Sequence, residues 1–355
     1  MKFQQNKSIK HSRIVLSASL MFLFGVVGTT SCSDQTKQEA AQFFLKGNVQ
    51  LAKREYKEAI RYYTESVAKK PDFADAYNNR GLAYYRNGER EAALADYTKA
   101  IAVDPAFEAT YLNRADLLLD TGDPTGALTD LQRIEKTYRD STFYQTRLGD
   151  TFVRLNKLPD AQVAYDKALQ LNPNNVDALT NRGALSFRQK AYEAARQDIE
   201  LALRLNPKQD AALNNQSMLL ARETKYADAL GVIDRALSIQ PAQPYYLNNR
   251  GYLLLMLGRD AEALPVLTQT LRIDDQNAWA HRNLGIYYLA QKQATKSIVS
   301  LQQAEKIDAS VDQLYYYLGM AQLAAENKAA ACEAFRRGEI AGDALAKAEK
   351  NRRCP

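Results

Sequence analysis

The sequence predicts an all-α fold: a right-handed superhelical solenoid of nine helix-turn-helix units closed by a C-terminal capping helix. Three observations carry this expectation. A 34-residue period runs from residue 40 to 345 without insertion or deletion, small side chains recur at two positions of it, and proline closes five units. In the frame beginning at Ala40, position 8 is Gly47, Gly81, Gly149, Gly183, Gly251, Gly285 and Gly319, with Ala115 and Ser217 in the other two units. Position 20 is alanine from Ala59 to Ala331, with Ser297 as the exception. Small residues there let two antiparallel helices approach closely, while large ones at positions 4, 11 and 24 fill the space between them. Position 32 is Pro71, Pro105, Pro173, Pro207 and Pro241, which stops the second helix because proline lacks an N–H and disfavours helical geometry in the residue before it. No single helix pair can bury its apolar face, so the stacking of neighbours supplies the core.

The elements follow in chain order. Lys2, Lys7, Lys10 and Arg13 form a positive start without an acidic residue, and Ile14 to Val27 is mostly apolar. That stretch is short for a bilayer span and suits the core of a signal peptide. Gly28-Thr29-Thr30-Ser31-Cys32 then resembles a bacterial lipobox, with Thr29 where leucine is usual. Residues 1–31 are therefore expected to be a lipoprotein signal peptide, Cys32 the lipidated N-terminus, and residues 32–39 a lipid-anchored tether. An ordinary secretory signal with Cys32 as a free thiol is the alternative. The nine repeats fill residues 40–345, and residues 343–355 are expected to form the capping helix and tail. Pro265, inside the second helix of unit seven, is expected to kink it locally.

Composition excludes several functional classes. With 46% apolar and 25% charged residues, the chain is neither disordered nor low in complexity. Removing the four basic residues of the signal lowers the net charge from +6 to +2, so the basic balance is no argument for nucleic acid. Three cysteines and two histidines cannot build a four-cysteine zinc site or a histidine-based centre of ordinary kind. His281, at position 4 of unit eight, reads as a packing residue, and the carboxylates are scattered without evident pairing. Asn-Arg-Gly recurs in mid-helix with no strand before it, so it is not a phosphate loop. No catalytic residue, metal, cofactor or small-molecule substrate is expected, and the chain reads as a non-enzyme.

The pattern resembles the tetratricopeptide repeat family. Unit two matches closely, with Tyr77, Gly81, Tyr84, Ala93, Tyr97, Ala100 and Pro105 at signature positions, while units three, eight and nine lack the closing proline. The resemblance implies a concave groove lined by the first helix of each pair, with positions 2, 5, 6, 9, 12 and 13 pointing inward. Position 6 carries Asn79, Asn113, Asn181, Asn215, Asn249 and Asn283, with Arg147 in unit four; position 5 adds Asn78, Asn214 and Asn248. This row resembles the asparagine ladder of O-linked N-acetylglucosamine transferases. Its amides either pair with the backbone of an extended peptide or hydrogen-bond neighbouring helices. Tyr245, Tyr252 and Met256 beside Trp279, Arg282 and Ile286 form either a binding hot spot or padding between helices. The two-carboxylate clamp of chaperone-binding relatives is absent: Phe44, Ala109 and Asn113 occupy its basic positions, although Asn48 and Asn79 match its asparagines.

Cys332 and Cys354 fall at similar heights on antiparallel helices flanking one turn, and export would permit a disulfide between them. The functional expectation is a scaffold, lipid-anchored in the bacterial envelope and facing the periplasm from the outer membrane, that binds an extended or helical segment of an envelope protein. A targeting subunit that recruits a separate envelope hydrolase is the alternative. Nucleic acid is not an expected partner.

Overall fold

The computed structural model describes residues 32–354, so the signal segment lies outside the described residues. The fold is all-helical. Units one to three comprise α1 (Cys32–Lys53) and α2 (Tyr56–Lys69), α3 (Ala74–Asn87) and α4 (Arg90–Val103), α5 (Glu108–Thr121) and α6 (Pro124–Arg133) with the short α7 (Glu135–Tyr138). Units four to six comprise α8 (Thr142–Arg154) and α9 (Leu158–Leu171), α10 (Val176–Arg188) and α11 (Tyr192–Leu205), α12 (Asp210–Arg222) and α13 (Tyr226–Ile239). Units seven to nine comprise α14 (Pro244–Met256) and α15 (Asp260–Ile273), α16 (Ala278–Ala290) and α17 (Ala294–Ile307), α18 (Leu314–Ala324) and α19 (Lys328–Ile340), capped by α20 (Ala344–Arg353). Each first helix also packs on the first helix of the next unit, whereas successive second helices make no comparable contact. The first helices therefore line the inner face of the solenoid.

The frame sets the helix boundaries. Every second helix begins at position 17, and in units two to eight the first helix begins at position 1. The turn between them places position 15 in the left-handed region in all nine units. Glycine meets this demand at Gly88, Gly122 and Gly258, but Arg54, Asn156, Lys190, Thr224, Lys292 and Glu326 also adopt it. Residues 32–39, expected as a tether, are helical and extend α1. α15 runs unbroken through Pro265. Unit nine departs from the frame: Gln313 is left-handed at φ 58°, and α18 starts only at position 3.

Close approach at positions 8 and 24 determines the packing of each pair. A Cβ added to Gly47 would lie 2.5 Å from the Tyr63 ring, and one on Gly251 the same distance from Leu267. Tyr63, Tyr97, Tyr165 and Phe335 are among the largest fully buried side chains, and all four occupy position 24. Where serine replaces the small residue, its hydroxyl bonds across the pair: Ser217 Oγ donates to the Ala229 carbonyl at 2.9 Å, and Ser297 Oγ to that of Gly285 at 2.7 Å.

A second device pairs carboxylates that looked scattered in sequence. Arg80, Arg114 and Arg182, at position 7, each hold an aspartate at position 23 of their own unit through two bonds of 2.7–2.8 Å: Asp96, Asp130 and Asp198. Each arginine also reaches position 25 of the preceding unit, at Thr64, Thr98 and Asp166. One fork thus joins the two helices of a pair and the pair before it. Planar guanidinium suits this geometry, and lysine does not. At the C-terminal end, Cys332 and Cys354 form a disulfide with a Cα separation of 5.6 Å. It fastens α20 over the last pair, where Ala346 is fully buried.

Gly251→Ala should destabilise by about 1–3 kcal/mol through overpacking against Leu267. The same change at Gly231, which lies in α13 with nothing within 4 Å of an added Cβ, should stabilise by about 0.5–1 kcal/mol through helix propensity. Urea unfolding of the two variants measures both, and equal signs would contradict the close-approach account. Cys354→Ala should remove about 3 kcal/mol of loop constraint and raise amide exchange in α20 before any other helix, as mass spectrometry would detect.

Candidate functional site

The inner face divides into two regions of different chemistry. In units two to five, a cavity of about 450 Å³ is lined by Tyr85, Asp116, Asp120, Arg147, Asp150 and Arg188 among others. Its centre is Arg147, the residue that replaces asparagine at position 6. The guanidinium pairs at 2.8 Å with Asp116 of the preceding unit and at 2.8 Å with Asp150, one turn further along its own helix. Asp150 also accepts the Tyr165 hydroxyl and the Asn181 amide, each at 2.7 Å, and Asp120 accepts the Tyr85 hydroxyl. Burial pushes the Asp116 carboxyl up to about 6, with Arg147 opposing the shift and Asp150 and Asp120 adding to it. Tyr165 is held well above its ordinary value by burial and by Asp150.

The asparagine row is a hydrogen-bonded ladder made by the protein itself. Asn113 donates to Asn78, Asn249 to Asn214 and Asn283 to Asn248, at 2.9, 2.7 and 2.8 Å, each amide reaching back to the preceding first helix. Asn79 reaches Asn48 at 2.9 Å, and Asn215 reaches the Thr180 carbonyl at 3.3 Å. Within a helix, Asn78, Asn214 and Asn248 donate to the asparagines that follow them. Asn78, Asn248 and Asn283 are buried, so their amides hold adjacent units together, and the half-buried members alone remain at the groove surface. His281 also serves structure: its Nε2 lies 3.0 Å from the Asp275 carbonyl, in the turn before its own helix.

The second region lies in units seven to nine. Tyr245 and Trp279 are exposed at position 2. Tyr252 is half-buried. Arg282 is only 4% exposed, with its guanidinium 5.2 Å from the centre of the Tyr252 ring and 5.1 Å from that of Trp279. Of the expected cluster, Tyr252 and Trp279 thus flank a sunken cation. Sequence reasoning missed the Arg147 network, although the single break in the position-6 row marked its place.

Comparisons with known proteins agree with this architecture. Two family models described as tetratricopeptide repeat match the chain, one over residues 74–107 and the other over 146–210 and 214–278, and a third described as TPR repeat matches 47–88. Among solved structures, the APC/C hetero-tetramer Cut9-Hcn1 is similar at a TM-score of 0.64 and 14% identity, over 90% of this chain and 77% of that one. The human IFIT1 dimer with m7Gppp-AAAA is similar at 0.55 and 16%, over 78% and 70%. PilF of Pseudomonas aeruginosa is similar at 0.50 and 18%, over 60% and 96%. At these identities the likeness concerns the fold. No curated protein matches the chain.

The raised Asp116 carboxyl has a measurable consequence. Between its ordinary 3.8 and about 6, the folded chain holds a proton that the unfolded chain has released. Stability from this group therefore falls as pH rises through that window. Asp116→Asn should flatten that part of the profile, and the variant should unfold in no less urea than the parent chain at pH 7. An unchanged slope between pH 4 and 6.5 would contradict the assignment.

Proposed function

The chain belongs to the tetratricopeptide repeat family, and from that premise we propose that it is a non-catalytic scaffold whose inner groove binds an extended or helical segment of an envelope protein. The observation that carries the reading is the exposed aromatic surface of Tyr245 and Trp279 on the inner face. Trp, Tyr and Arg are the side chains most enriched at binding hot spots, and a soluble fold gains nothing by exposing two such rings in a concavity. The fully packed helix pairs leave the groove as the place where chemistry varies from unit to unit.

The cellular setting in this proposal is the bacterial envelope. Residues 1–31 direct export, and Cys32 carries the lipid that holds the chain on the outer membrane, facing the periplasm. More than one acyl chain is needed for stable anchoring at about 0.8 kcal/mol per buried CH₂. The bond between Cys332 and Cys354 supports this setting, because disulfides persist in exported proteins and are rare in the cytosol. No described helix is long and apolar enough to cross a membrane.

Site-specific photocrosslinking in intact cells tests the groove. A photoreactive residue in place of Tyr245, on the inner face, should trap a discrete partner; one in place of Val299, exposed on α17, should not. The reverse pattern would move the site to the outer face. Cys32→Ala should shift the protein from the membrane to the soluble periplasmic fraction, and full retention on the membrane would refute the lipid anchor.

A further inference from the structure

Arg282 is a buried cation without a counter-ion. The other deeply set arginines of this chain are matched: Arg80 and Arg114 each grip one aspartate, and Arg147 lies between two. Arg282 makes no ion pair among the described residues. Its Nη1 donates to the Asp312 carbonyl at 3.2 Å, and its buried Nε has no acceptor. Asp312 attracts it only at a distance, from the exposed turn before α18. Burial accordingly holds the guanidinium below the usual arginine range. The rings of Tyr252 and Trp279 offer their faces, which offsets part of the cost of desolvating a charge. They do not replace a carboxylate, and an unpaired buried charge is expensive to keep.

The surrounding groove has matching character. In units six to eight, none of the inward positions 2, 5, 6, 9, 12 and 13 carries Asp or Glu, whereas units three and four place Asp116, Asp120 and Asp150 there. Arg222 adds a second cation at position 13 of unit six, and Met256 and Ile286 line the same stretch. An occupant of this half therefore meets positive charge set in apolar and aromatic surface, with Asp312 as the carboxylate at its edge.

We propose that Arg282 anchors an acidic side chain of an extended partner segment, with Tyr245, Tyr252 and Trp279 taking the apolar neighbours of that side chain. This rests on the groove-binding function above and names the chemistry of its ligand. A carboxylate that reaches the buried guanidinium makes a charge-assisted hydrogen bond of the strong kind. The groove continues past Arg282 into unit nine, so an acidic side chain within a passing strand suits the site better than a chain terminus.

The test uses the mature chain and an array of short peptides, acetylated and amidated at their ends. Each peptide carries one central glutamate or glutamine among randomised neighbours. Trp279 is the only tryptophan, and it touches the site, so its emission reports entry of captured peptides in solution. Glutamate peptides should bind about tenfold more tightly than their glutamine counterparts, a difference of about 1.4 kcal/mol. Arg282→Met should abolish that preference and melt no lower than the parent chain, because it removes an uncompensated charge. Capture without a glutamate preference, or a preference that Arg282→Met leaves intact, overturns the inference while groove binding stands. Preference for a free C-terminal carboxylate over the internal glutamate also overturns it. No capture of any peptide counts against both this inference and the groove.

Discussion

The contact between position 8 of one helix and position 24 of its partner is the constraint on which the rest of the molecule depends. Gly47, Gly149, Gly251 and Gly319 have no room for a Cβ, because a ring or a leucine from the facing helix fills that space. This fixes how near the two helices lie and in what register. Once the pair is set, its remaining apolar surface can be covered only by the next pair, and an uninterrupted period results. The inner face is then built from first helices alone, and its side chains are free to vary because the pair is held together elsewhere.

Polar side chains govern how one unit sits on the next. The arginine forks at position 7 span a pair and its predecessor, and the asparagine amides tie successive first helices along the inner face. Both devices spend their hydrogen-bonding capacity within the protein. Beside these networks the inner face holds the ion-paired cavity around Arg147, the exposed rings of units seven and eight, and Arg282. The two ends of the groove consequently differ, one balanced by aspartates and the other positive and aromatic.

Much of the fold was legible because a repeated sequence states each rule nine times. The period, the small residues at 8 and 20 and the closing prolines located the helix pairs, and every second helix begins at the same frame position. Features carried by one unit were harder to read. The left-handed residue at position 15 is glycine in only three units, so no residue type announced it; the register of the helices imposes it on Thr224 and Lys190 alike. The pairing of Arg80 with Asp96 joins residues sixteen apart on different helices, a spacing that no single-helix pattern reveals. The asparagine row was visible, but its two possible uses differ only in where each amide points. Residues 32–39 looked like a tether because they precede the frame, yet they hold no helix breaker and simply continue α1.

The account assigns recognition to the inner face of units seven to nine, and hydroxyl-radical footprinting of the full chain with its crosslinked partner tests that most directly. Oxidation of Tyr245, Tyr252, Met256 and Trp279 should fall on binding, while that of Val163 and Val299, exposed on the second helices, should stay as it was. Protection of the second helices, with the four inner side chains still open to oxidation, would contradict it.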